Sequence, residues 1–327
     1  VLGAGSWGTA LAILLAKNGH KVGLWDRNRE HAAALAGHRE NRRHLPGITL
    51  PDAVHPTADL SAVLATADFV LIVVPSAGFR AVLRNARVHF GAPPKLIWAS
   101  KGLEPDTSRF IHQIVDEELP GHTTAAAISG PSFATEVARG LPTAVTVASK
   151  NADYATTVAE LFHGQRFRAY TSDDIVGVEL GGAVKNVLAI AAGISDGLGY
   201  GANARAALIT RGLAEIMRLG AVLGCQRETL MGLSGVGDLV LTCTDDQSRN
   251  RRLGLALGRG TPLDQAVADI GQAIEGLQTA KALQALATAY AVDMPITAEV
   301  RQVLCSGQPA ATAVENLLSR EAKPEAD

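Results

Sequence analysis

The chain opens Val1-Leu2-Gly3-Ala4-Gly5-Ser6-Trp7-Gly8, and an apolar run at helical spacing continues over residues 9–16. That order reads as the end of a strand, a glycine turn and the start of a helix. Gly3, Gly5 and Gly8 have the spacing of a dinucleotide-binding turn. The first glycine permits the tight turn, the second lets backbone approach a pyrophosphate, and the third lets helix and strand pack closely. Free N–H groups at the helix start then receive the phosphates. A glycine turn with no ligand is written in the same letters, so context must separate the two readings. Residues 20–25 read as a second strand ending at Asp26-Arg27, which places an acid 18 residues after Gly8. An acid there accepts hydrogen bonds from a ribose, whereas Arg27 beside it can pair with a 2′-phosphate, so use of both NAD and NADP is expected. The strand before Gly3 is too short to stand alone, which predicts that the natural chain begins a few residues before Val1.

Outward from this turn, apolar runs recur at residues 69–74, 96–99, 125–128 and 144–147, bounded by Pro75, Pro93-Pro94, Gly130-Pro131 and Pro142. Helical stretches separate the early ones. The alternation predicts an α/β fold with a doubly wound, mostly parallel sheet covered on both faces. From about residue 172 the texture changes to alanine, leucine and glycine at helical spacing, through residues 173–194, 203–223, 249–257, 263–270, 276–290 and 296–304. The expected organisation is a dinucleotide-binding domain over residues 1–172 and an all-helical domain over 173–327. The charged tail 320–327 is expected to be disordered, and the active site to lie in the cleft between the domains.

Composition narrows the function further. The 327 residues carry 30 Lys+Arg against 32 Asp+Glu, a net charge of −2, so no global basic field recruits nucleic acid or an anionic membrane. Apolar runs such as 69–74 fall far short of the roughly 18 residues of a membrane span. No signal peptide is read at the N-terminus, where glycines interrupt any apolar core. Cys225, Cys243 and Cys305 are odd in number and widely spaced, which fits buried thiols in a reducing compartment. A cytoplasmic protein without integral membrane contact is expected. All nine histidines lie at or before His163. The second half therefore offers few titratable catalysts, and no metal site is expected.

Among them Lys185 stands out. It lies in Val178-Glu179-Leu180-Gly181-Gly182-Ala183-Val184-Lys185-Asn186, and on a helix Gly182, Lys185, Asn186, Ala189 and Gly193 share one face. Paired glycines weaken a helix by about 1 kcal/mol each, so something is expected to approach closely there. The reading is a concave place for a substrate and a nicotinamide, against a solvated lysine on a helix that merely packs through glycines. Ser248-Arg249-Asn250 opens a later helix, where Ser248 suits an N-cap and the arginine suits a phosphate; a solvated basic face is the other reading. Lys101-Gly102 and Ser129-Gly130-Pro131-Ser132 close two strands, where open α/β sheets bind ligands. Asp238, in Gly235-Val236-Gly237-Asp238, belongs either to a turn between helices or beside a catalytic ammonium.

Together these motifs resemble the NAD(P)-dependent glycerol-3-phosphate dehydrogenase family of the bacterial cytoplasmic type. The likeness runs through GAGSWGTALA, SKGLEP, SGPSFA, GVELGGAVKNVLAIAAGISDGLGYG, ALITRGLAEI, GVGDL, SRNRR and AIEGLQTAK, nearly the whole chain. The long central motif is far more specific than the glycine fingerprint. The resemblance implies a Rossmann domain followed by a helical domain. It also implies reversible reduction of dihydroxyacetone phosphate to sn-glycerol 3-phosphate, a phospholipid precursor. By the same resemblance Lys185 is the proton donor and acceptor, and Lys101, Gly130, Ser132, Asp238, Ser248, Arg249 and Asn250 hold the phosphorylated triose. Ser6, Trp7, Arg27, His44, Ala134 and Glu275 match cofactor positions, with Lys101 and Arg249 reaching both ligands. His44 stands where the family often has tyrosine, and Asp26 where it often has a small residue. A dehydrogenase of 3-hydroxy acids and a nucleotide sensor without turnover are the competing classes, and a homodimer is left open.

Overall fold

The structure, a computed structural model, describes residues 1–121, 124–321 and 324. Its strands are β1 (Val22–Trp25), β2 (Glu40–Asn41), β3 (Leu45–Thr49), β4 (Val54–Thr57), β5 (Val70–Ile72), β6 (Leu96–Trp98), β7 (Ala125–Ser129), β8 (Thr143–Ala148) and β9 (Phe167–Ser172). β5 to β9 form one sheet in sequence order, and β1 pairs with β4. Leu2 joins the two, bridging Trp25 on one side and Ile72 on the other, both in parallel. The short segment before Gly3 thus lies inside the sheet, between β1 and β5. All pairings within this sheet are parallel except β7 with β8.

Two strands escape a periodicity reading for the same reason: they are edges. β4 reads Val-His-Pro-Thr, and its Pro56 removes a donor that a central strand would need. β9, at the other edge, mixes Arg168, Tyr170 and Thr171 among its apolar residues. The β2–β3 hairpin was likewise not foreseen, being two and five residues long. The sheet's two faces bury separate apolar clusters, one with Leu11, Ile13 and Phe162, the other with Phe79, Trp98 and Ile114.

Beyond β9 the described chain is helical, as its alanine and leucine spacing implies. The helix Ile175–Gly197 is its axis, and nearly all its residues are buried. Asp174 caps it, accepting from Gly177 N at 2.7 Å. This helix meets the length and hydropathy of a membrane span, which the sequence reading overlooked, but 94% of that window is buried inside the protein. Lys185 and Glu179 lie within it.

The glycines of this helix do call for close approach, although by protein rather than ligand. A Cβ on Gly181 would lie 2.2 Å from Ser234 O, and one on Gly193 2.2 Å from Arg251 O. Gly193 and Gly197 meet Gly254 and Gly258, so two helices cross with backbones nearly touching. Short helices Arg227–Met231, Asp238–Thr244 and Ala310–Leu318, which the spacing did not reveal, complete this domain. The disorder expected of residues 320–327 falls largely on positions outside the described residues; Arg320 itself pairs with Asp293 at 2.6 Å.

Candidate active site

Three charged side chains from three distant segments converge at the C-terminal end of the sheet. Lys101 follows β6, Lys185 lies midway along the helix Ile175–Gly197, and Asp238 starts the helix Asp238–Thr244 after a wide turn, Leu233–Gly237. Lys185 Nζ donates to Asp238 Oδ1 at 2.6 Å, and Lys101 Nζ donates to Asp238 Oδ2 at 2.7 Å. Asp238 is therefore the partner of both ammonium groups, and it also opens its helix directly after the turn between helices. Burial would raise its carboxyl, but the two lysines hold it below the ordinary carboxylate range. Lys185 is the more perturbed base. Burial pushes its pKa down from 10.5 to about 8, with Asp238 resisting and Lys101 assisting.

Gly130 frames this cluster. Its φ of +146° suits glycine, and a Cβ there would lie 2.9 Å from Val145 Cα. Its carbonyl accepts from Lys101 Nζ at 3.1 Å and from Ser132 Oγ at 2.9 Å. Facing Lys101, a Cβ on Gly182 would lie 2.8 Å from Ser129 Oγ. That hydroxyl is buried without a hydrogen-bond partner among the described residues.

One residue along the helix, a chain of amides continues the site. Asn186 Nδ2 donates to Glu275 Oε2 at 3.2 Å, and Asn186 Oδ1 accepts from Asn250 Nδ2 at 2.9 Å. Asn250 Oδ1 accepts from Gly276 N at 3.0 Å. Ser248 is the N-cap of the helix Arg249–Gly258, accepting from Arg251 N at 3.2 Å, as its sequence position predicts. Arg249 is half-buried and reaches Gln272 Oε1 only at 3.4 Å, whereas Arg251 is engaged by Asp196 and Asp246. Arg249 is thus less engaged than Arg251 by the side chains around this helix start.

The glycine turn forms a second centre. Gly3 has φ +117°, and a Cβ on Gly8 would collide with Gly3 O at 1.9 Å. Gly5, by contrast, has nothing within 4 Å of where a Cβ would be, so the space over it is open. Gly5 is also the N-cap of the helix Ser6–Lys17 and offers no side-chain bond to its first N–H groups. Trp7 Nε1 is buried without a hydrogen-bond partner among the described residues. An open cradle, unfilled N–H groups and an orphaned donor fit a dinucleotide's pyrophosphate. Ser6 Oγ donates to His44 O at 2.6 Å, and Arg249 acts electrostatically on His44, which burial chiefly holds below the usual histidine range. Arg27 is exposed beyond Asp26, and Ala134 opens the helix Ala134–Arg139, which packs on Ser6–Lys17. No group of three metal-ligating side chains occurs among the described residues.

Two family models describe this arrangement: the N-terminus of NAD-dependent glycerol-3-phosphate dehydrogenase matches residues 1–155, and its C-terminus matches 174–315. The chain belongs to the NAD-dependent glycerol-3-phosphate dehydrogenase family. It is 60% identical over 325 residues to a glycerol-3-phosphate dehydrogenase (NAD(P)+) of Thioalkalivibrio sulfidiphilus, covering 99% of this chain and 98% of that one. The crystal structure of a glycerol-3-phosphate dehydrogenase from Coxiella burnetii superposes with a TM-score of 0.94 at 50% identity, over 98% of each chain. That of yeast, at 27% identity, superposes with a TM-score of 0.82, again over 98% of each.

Within this family fold, sequence reading passed over two polar groups that hold the site. Glu179 Oε1 accepts from Trp98 Nε1 at 2.9 Å and from His112 N at 3.0 Å, tying the Lys185 helix to β6. Its other oxygen meets His112 Nδ1, and although burial opposes it, this carboxylate raises the imidazole above its usual range. The second is His31, bonded to Asp26 at 2.8 Å. A glutamate inside an apolar helix and a histidine five residues beyond an acid were the available signals.

Proposed function

We propose that this chain catalyses the reversible NAD(P)H-dependent reduction of dihydroxyacetone phosphate to sn-glycerol 3-phosphate, in the cytoplasm and in service of glycerophospholipid synthesis. The observation that carries the reading is the buried Lys185–Asp238–Lys101 cluster, at the strand ends between the glycine turn and Arg249. Gly3, Gly5, Gly8, Ser6 and Trp7 hold the pyrophosphate side of the cofactor, with Asp26, Arg27 and His44 toward its adenosine and Ala134 and Glu275 toward its other end. When bound, the cofactor supplies a hydride to the carbonyl carbon. Lys185 stabilises the negative charge that develops on the carbonyl oxygen and delivers its proton there, and in the reverse direction it takes the proton back. A pKa of about 8 lets it do both near neutral pH. Asp238 keeps the ammonium aimed and charged, and Lys101 with Gly130 and Ser132 orients the substrate. Arg249, Ser248 and Asn250 receive the phosphate at the start of their helix, so that binding energy from the phosphate holds the ketone in place. Residues 1–172 and 173–327 are taken as cofactor and substrate domains, and a homodimer accords with this reading without being required by it.

The test is consumption of NADH or NADPH absorbance with dihydroxyacetone phosphate. Turnover is expected with both cofactors. Lys185→Ala should lose about 10²–10⁴-fold in kcat while fluorescence titration shows cofactor binding nearly unchanged. Cofactor binding without turnover in the unmodified protein, or wild-type turnover in Lys185→Ala, overturns the proposal.

A further inference from the structure

The acid at the end of β1 is not a bare carboxylate. Asp26 Oδ1 accepts from Asn28 N at 2.8 Å, and Oδ2 lies 2.8 Å from His31 Nδ1. The side chains of His31 and Asp26 are 10% and 17% exposed, so this pair is only partly screened by water. The far nitrogen, Nε2, lies 3.2 Å from Asn41 Oδ1. Which atom of Asn41 faces the ring is fixed by its other bonds. Asn41 Nδ2 donates to Ala4 O at 2.9 Å and to Thr9 Oγ1 at 2.7 Å, while Oδ1 accepts from His44 N at 3.1 Å. Reversing the amide would set oxygen against the Ala4 carbonyl and an NH₂ against an N–H.

Both ring nitrogens of His31 therefore face acceptors. A neutral imidazole has one N–H and would leave an acceptor opposite a lone pair; the imidazolium satisfies both. Other charges stand around it. His44 packs edge-on at 5.3 Å between centroids, and Glu30, His38, Glu40, Arg42 and Arg43 line a cavity of about 350 Å³ beside it.

From this geometry we propose that His31 sets the cofactor range by cancelling the charge of Asp26. The inference rests on the reading above that Asp26 faces the adenosine ribose. A lone carboxylate at that place favours an unphosphorylated ribose and repels a 2′-phosphate. Paired with an imidazolium, Asp26 keeps lone pairs for a 2′-hydroxyl yet presents little net charge, and the exposed Arg27 next to it can meet a phosphate. Removal of the imidazole's charge uncovers the carboxylate, so preference then moves toward NADH. His31 acts through Asp26 and is a specificity-determining residue, not a catalytic one.

The experiment measures the ratio of kcat/KM for NADPH to that for NADH, at one fixed pH shared by all variants. The variants are His31→Gln, which keeps a donor without the charge, His31→Lys, which keeps the charge at every pH, and Asp26→Asn. Ionisation of the 2′-phosphate is common to all of them and cancels in the comparison. Relative to wild type, His31→Gln should lower the ratio by about 3- to 10-fold. His31→Lys should hold the ratio at or above wild type, and a ratio lowered as in His31→Gln would overturn the role of charge. Should His31→Gln not fold, His31→Lys carries the test alone. An unchanged ratio in Asp26→Asn overturns the ribose-facing reading beneath the inference. A changed ratio there, with neither His31 variant differing from wild type, overturns the role of His31 alone.

Discussion

Replacing Asp238 by asparagine keeps the shape of the site and removes one negative charge from between two ammonium groups. In the intact protein Lys185 sits at about 8 because burial lowers it and Asp238 partly restores it. A hydrogen bond to a charged partner contributes roughly 1.5–3 kcal/mol. At about 1.4 kcal/mol per tenfold change in protonation, its loss should move the alkaline limb of the reduction profile down by roughly one to two pH units. The repulsion of Lys101, no longer neutralised at 2.7 Å, acts in the same direction. The sign follows from the proton's role: reduction needs protonated Lys185, so activity falls as pH rises through the limb. Near pH 7 the variant should therefore lose about 2- to 10-fold from protonation alone and recover toward pH 5.5. The oxidation of glycerol 3-phosphate needs the neutral amine and rises through the same pKa, so its acid limb should move down by the same amount and its rate near pH 7 should not fall. Initial rates at saturating substrate in both directions, over matched buffers, provide the assay. An alkaline limb that stays in place in Asp238→Asn, or moves upward, refutes the reasoning.

Two further outcomes test other parts of the structure. Arg249→Ala should weaken dihydroxyacetone phosphate by about 10- to 150-fold in kcat/KM while unphosphorylated dihydroxyacetone stays equally poor for both proteins; equal losses on the two ketones would remove Arg249 from the phosphate. Glu215 is buried at the start of the helix Pro295–Ser306, bonded to Ile296 N and Thr297, and burial pushes its carboxyl from 4.5 up to about 7. The native state thus holds a proton that the unfolded chain releases near 4.5, so stability should fall as pH rises from about 4.5 to 7. Between pH 5 and pH 8, thermal melts of wild type should lose roughly 2–5 °C more than those of Glu215→Gln.

What could be read from the letters depended on how local the cause was. Gly3, Gly5 and Gly8 act within one turn, so the shape of that turn was legible from their spacing alone. Ser248 caps its own helix, and the hydroxyl-to-N–H bond is three residues long. The partners of Asp238 are the opposite case: Lys185 and Lys101 are 53 and 137 residues away, so no spacing rule brings them together. β4 and β9 were missed because edge strands satisfy only one neighbour and tolerate proline and polar residues that periodicity counts against a strand. Gly181 and Gly193 were read for the right property and the wrong neighbour. Their missing side chains admit backbone from Ser234 and Arg251, and an approaching chain and an approaching ligand leave the same mark on a sequence.

The helix Ile175–Gly197 shows why so much function can be written in one stretch. Glu179 fastens it to Trp98 at the end of β6, three residues before Lys101. Lys185, less than two turns on, meets Asp238, and Asn186 reaches both Glu275 and Asn250. Further along, Gly193 and Gly197 hold it against the helix that Arg249 begins. Asp238, Glu275 and Asn250 are thus each set by a contact on this helix, at a fixed rise of about 1.5 Å per residue. The distance from the Lys185 ammonium to the helix that Arg249 begins is then governed by backbone-to-backbone packing, which side-chain motion cannot relax. Under the proposed function, the glycines of the crossing and the lysine of the cleft together fix where the substrate's oxygen meets its proton.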